Sequence, residues 1–133
     1  MRESCARPDL IGNVKTMVLL WGLPVAIMLA TGYYDDGGWI TTIGWTLSLS
    51  VMGAACLVNA RDCGRTHCYF TGPFFLLMAV LSLLYGAQVL PLGPHGWSFI
   101  GTAFVAGGAL LYVVPERIWG RYRGAPTATR SLD

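Results

Sequence analysis

The chain has 133 residues, 54% of them hydrophobic and 12% charged, with a net charge of +2 at pH 7. Charged residues make up roughly a quarter of an ordinary soluble domain, so this composition excludes one, and the small net charge gives no footing for a nucleic-acid partner. Crossing a ~30 Å hydrocarbon core takes about 20 apolar residues, so four crossings use up these residues and leave no room for a separate soluble domain.

In chain order, Arg2, Arg7 and Lys15 lead into an uncharged run at 16–34, which ends at Asp35-Asp36-Gly37-Gly38. A cleaved signal peptide also opens on basic residues and an apolar core. Here, however, Glu3 and Asp9 interrupt the leader and no clean small-x-small site follows, which favours a retained span. Pro24 predicts a kink. The second run, 39–60, is closed by Arg61-Asp62, and 61–72 reads as a polar loop. The third run, 73–90, has Pro73 in the first helical turn, where proline is tolerated. Residues 91–96 form a tight connection, and the fourth run, 97–114, stops at Pro115-Glu116-Arg117. The predicted fold is an all-α integral membrane protein, a bundle of four transmembrane helices forming a single domain over 1–133, with a disordered tail at 124–133.

Four spans put both termini and the loop 61–72 on one side, and all nine Lys and Arg lie on that side. The positive-inside rule makes that side cytoplasmic, with the chain in the inner (plasma) membrane. Tyr33, Tyr34, Trp39 and Trp97 are expected in the outer aromatic belt, and Tyr69, Trp119 and Tyr122 in the inner one. The tail segment Arg117 to Arg123 suits anionic lipid headgroups. Small residues at four-residue spacing predict helix contacts: Gly22, Ala26 and Ala30; Ser50 and Ala54; Ser82 and Gly86; Thr102 and Ala106, or Ala103 and Gly107. Leu19-Leu20, Gly38-Trp39 and Ile43-Gly44 are echoed by Leu76-Leu77, Gly96-Trp97 and Ile100-Gly101. The echo reads either as a parallel repeat of two hairpins or as chance similarity between apolar runs.

Chemistry gathers in the loop. Cys63, His67 and Cys68 offer two thiolates and an imidazole, a donor set for Hg(II), Cu(I) or Zn(II), with Arg61 and Arg65 holding the thiols ionised. Cys56 precedes Cys63 by nearly two helical turns, about 10 Å, which suits a second station on the same helix face, with Asn59 between them. Met28, Met52 and Met78 offer further soft contacts near mid-bilayer. Each feature has a structural alternative: Cys56 as a small packing residue, the methionines as core or lipid-facing, the cluster as fortuitous. Cys5 is either an extra thiol or uninvolved, and His95 reads as structural. No Asp, Glu, Lys or Arg falls inside any of the four runs, which argues against a proton-coupled pump.

With four spans, a cysteine in a span (Cys56) and cysteines on the cytoplasmic side (Cys63, Cys68), the chain resembles the small inner-membrane mercuric-ion transporters. The resemblance covers topology and ligand type along the whole chain, and it implies movement of a soft ion. Those families carry paired cysteines in the first span, whereas 16–34 holds none, so none of their ligand assignments transfers. The expected function is therefore binding of a soft ion by Cys63, His67 and Cys68, with Cys56 as relay, and transport or delivery by ligand exchange. One alternative is an accessory subunit docked on a larger membrane complex, or a homo-oligomer. The other is a thiol enzyme with Cys63 or Cys68 as nucleophile, His67 as base, and Arg61 and Arg65 binding an anionic substrate. Against the enzyme, adjacent His67 and Cys68 are expected to point apart, and Asp62 is the one nearby acid.

Overall fold

The computed structural model describes residues 10, 13–35 and 37–120; the expectations for Cys5, Tyr122 and the tail 124–133 fall outside the described residues. Four helices, α1 (Val14–Asp35), α2 (Trp39–Cys63), α3 (Thr66–Gly86) and α4 (Gly96–Trp119), are each long and apolar enough to cross a membrane. The described residues contain no strand. The fold is all-α, as the composition requires.

Most of the expected loop 61–72 is helix. α2 continues to Cys63, and Gly64 at φ 64° provides a left-handed cap whose N–H bonds the Ala60 carbonyl at 2.9 Å. Glycine carries that conformation without a Cβ penalty. α3 starts at Thr66, so the connection is Gly64-Arg65 alone, and Cys63, His67 and Cys68 are all helical. Polar residues at a helix end keep their backbone bonded, and nothing in Ala60-Arg61-Asp62 opposes helix. Pro73 accordingly lies inside α3, not in its first turn, and α4 runs through Pro115 to Trp119. In α1 a π-helical turn, Val18–Gly22, sits just ahead of Pro24. Widening the ladder there accommodates the missing proline N–H.

α2 and α3 form the central pair; α1 packs on α2 and α4 packs on α3. Lipid tails are as apolar as leucine, so close backbone approach must supply helix contact. Glycines provide it. A Cβ on Gly53 would meet the Gly72 carbonyl oxygen at 3.0 Å, one on Gly72 would meet Cys56 Cβ at 3.4 Å, and Gly86 lies hard against Thr42. Ser82 is buried on α3, and Gly107 of α4 meets the ring of Phe74. The expected α1 face is a correction: Gly22, Ala26 and Ala30 point outward, and Pro24 and Met28 point in. Ala54, Thr102 and Ala106 are also exposed. Bulkier apolar side chains of α1 reach the α2 surface more fully than its small ones do.

The two turns between α1 and α2 and between α3 and α4 meet at one end, where Trp97 Nε1 donates to the Gly37 carbonyl at 3.2 Å. Asp35 Oδ2 accepts the Thr41 N–H at 3.0 Å and ties the start of α2. Tyr33, Tyr34 and Trp39 are exposed at this end, whereas Trp97 packs on Trp45 and Tyr85. The two tryptophans that correspond in the sequence echo therefore sit in different surroundings.

Candidate functional site: a buried thiol pair beside a histidine and a glutamate

At the opposite end, the glycine contact between α2 and α3 sets which side chains meet. With Gly72 against Cys56, the first turn of α3 lies over the last turns of α2. Cys56 and Cys68 are both free thiols, 1% and 0% exposed, on the facing sides of the α2–α3 interface, each hydrogen-bonded to a side chain of the other helix. Asn59, one turn further along α2, donates from Nδ2 to Cys68 Sγ at 3.7 Å and accepts the Leu10 N–H at 3.3 Å on Oδ1. Thr71 Oγ1 lies 3.0 Å from the His67 carbonyl and 3.4 Å from Cys56 Sγ. Its single proton goes to the carbonyl, which leaves the oxygen able to accept from the Cys56 thiol.

His67 is 1% exposed and held from both sides. Nδ1 is 2.7 Å from Glu116 Oε1, and Nε2 is 3.3 Å from Cys68 Sγ. A carboxylate on Nδ1 keeps the proton there and turns the Nε2 lone pair toward the thiol. Tyr112 covers the ring, with centroids 4.5 Å apart. Glu116 is a residue the sequence reading left outside the site. It follows Pro115, where the fourth run was expected to stop, and its place became visible only when α4 was seen to continue as helix. The four apolar runs hold no Asp, Glu, Lys or Arg, but the helices extend beyond them, and Glu116 comes to the site on the extended end of α4.

The expected cluster is thus rearranged. Cys63 is disulfide-bonded, so its sulfur is not a thiol ligand. Cys56 faces α3, the helix of Cys68, across the interface, where Thr71 touches it, and is not paired along its own helix with Cys63. His67 and Cys68, expected to diverge, touch. Arg61 is exposed, and Met28, Met52 and Met78 are core residues. Among the described residues, no three His, Cys, Asp or Glu side chains gather where they could hold one ion, so the three-ligand set of Cys63, His67 and Cys68 is not assembled.

The backbones of α1 and α4 do not come close to one another. The space between them is a cavity of about 380 Å³ walled by side chains of all four helices, with His67 and Thr71 among its lining.

No family model, curated protein or solved structure matches the chain. Fold and site define it by themselves as a four-helix protein built to cross a membrane, with a buried dithiol, a histidine and a glutamate at one end.

Proposed function

We propose that this protein binds a soft metal ion, Hg(II) or Cu(I), between Cys56 and Cys68 and moves or delivers it by exchanging thiol ligands. The observation that carries this reading is the meeting of two buried thiols from adjacent helices, with an imidazole nitrogen 3.3 Å from one of them. Soft thiolates select soft ions, and two sulfurs suffice for ions that accept linear coordination. Zn(II), which takes four ligands in structural sites and three protein ligands in catalytic ones, has no matching donor set among the described residues. Metal binding requires the thiols to lose their protons, and His67, backed by Glu116, is the group in place to accept one. The grouping of basic residues supports an orientation with this end cytoplasmic and the chain in the plasma membrane.

Titration of the purified protein with Hg(II) and Cu(I), beside a Cys56→Ser, Cys68→Ser variant, tests the reading. One ion bound per wild-type chain and none at the same affinity in the variant is expected; equal binding by both proteins ends it.

A second reading is favoured by one specific observation. Cys68, His67 and Glu116 stand in the order of a nucleophile, its base and the carboxylate that orients the base. Thiol-dependent group transfer would show as labelling of Cys68 by a small apolar alkylating agent far faster than of a free thiol, lost in His67→Ala.

A further inference from the structure

The cavity between α1 and α4 differs from the ordinary seams of the bundle. Its walls are aromatic and aliphatic, with Trp21 and Val25 on one side, Phe104 and Val105 on the other, and Phe75 behind. Trp21 and Phe104 both pack on Phe75, with centroids 5.5 and 5.4 Å away. Gly108 and Ala109 keep the α4 wall flat. Its lining includes His67 and Thr71, each of which touches a free thiol: Thr71 Oγ1 at 3.4 Å from Cys56 Sγ and His67 Nε2 at 3.3 Å from Cys68 Sγ, with Tyr112 covering the His67 ring. A molecule filling this space therefore has an apolar body, arrives from the bilayer, and ends against the groups that hold the dithiol. About 380 Å³ falls within the range of small-molecule sites between bundle helices and holds a substituted ring with the beginning of a tail.

We infer that the cavity receives the headgroup of a membrane quinone, which oxidises Cys56 and Cys68 to a disulfide. The reaction balances with no further reagent. Two S–H bonds break and one S–S bond forms; the two electrons and two protons pass to the quinone, whose carbonyl oxygens become the hydroxyls of the quinol. His67 takes the Cys68 proton through Nε2 while Glu116 holds Nδ1, and the proton then moves on to the reduced ring. The inference does not need the metal reading. It uses the same two sulfurs, which hold an ion only while reduced, so quinone would switch ion binding off.

The test uses the full chain in lipid nanodiscs, with Cys56 and Cys68 reduced and oxygen removed. Decylubiquinone is the probe, because its fully substituted ring resists addition of thiols. One quinol formed and two thiols lost per chain is the expected result, with neither in Cys56→Ser or Cys68→Ser. Filling the cavity by Ala109→Trp, or by Gly108→Leu at a position where a Cβ stands 3.4 Å from Phe75, should slow quinol formation by about tenfold or more. Diamide should still close the Cys56–Cys68 disulfide in both variants, which shows that they are folded with the pair in reach. No quinol from the wild-type chain, a covalent quinone adduct, failure of diamide to join the pair, or undiminished rates in both cavity variants would each overturn the inference. Hg(II) titration of the same reduced samples reports separately on ion binding, so either reading can fail alone.

Discussion

Asn59 and Glu116 do for this site what its sulfur atoms cannot do for themselves. Asn59 is 1% exposed, and its amide satisfies a backbone N–H from Leu10 while pointing its own N–H at Cys68. Replacing it by leucine leaves that amide without its partner, which costs about 1–3 kcal/mol; a drop in thermal midpoint without loss of either thiol checks this. Glu116 acts through His67. A charge-assisted hydrogen bond is roughly twice as strong as a neutral one, so Glu116→Gln leaves an acceptor on Nδ1 but weakens the imidazole as a base. Oxidation of the thiol pair by diamide at neutral pH should slow by about fivefold to tenfold. Raising the pH should restore the rate, because hydroxide then removes the thiol proton. A rate independent of residue 116 at every pH would show that His67 takes no part in ionising Cys68.

Among the helices, the α2–α3 contact is the one on which the site depends. Gly53, Gly72 and Gly86 let the two backbones close along their length, and Gly72 in particular brings Cys56 under the first turns of α3. A leucine at position 72 meets Leu57 at 2.8 Å from its first side-chain atom. Overpacking of this kind typically costs about 1–3 kcal/mol, and here it also separates the sulfurs. Gly72→Leu is therefore expected to lower the unfolding midpoint and to abolish diamide-driven closure of the Cys56–Cys68 disulfide. Gly108→Ala, whose Cβ has ordinary contact with Phe75, should leave both unchanged. The pairing also clarifies how the expected loop misled. Charge and hydrogen-bonding side chains mark where a helix leaves the apolar slab, not where it ends. The segment from Arg61 to Gly72 contains both helix ends and one true break, Gly64-Arg65.

For the whole molecule, the arrangement α1–α2–α3–α4, with the backbones of the outer two helices apart, leaves the cavity between them in place of a closed seam. In the proposed reaction that cavity, not a central pore, is the way in for a molecule from the bilayer. Orientation is a property of the whole chain as well. An impermeant maleimide is expected to label His95→Cys in intact cells and Gly120→Cys only in opened ones, since both positions are exposed at opposite ends. The reverse pattern would place the dithiol at the outer face and overturn the cytoplasmic orientation.

Composition and the spacing of charges determine the all-α class, the number of spans and their approximate places, because burying backbone in hydrocarbon permits few alternatives to the helix. That Cys56, Asn59, His67 and Cys68 are the candidates is legible for the same reason: polar and thiol groups are scarce in such a chain. Which sulfur meets which was not. Cys56 and Cys68 face one another's helices, Cys63 leaves the set, Glu116 enters it, and an apolar cavity reaches His67. Each of these outcomes depends on how closely two helices approach and at what rotation. The closeness comes from a few glycine contacts, and a one-dimensional pattern lists those glycines without saying which face each one turns to its neighbour.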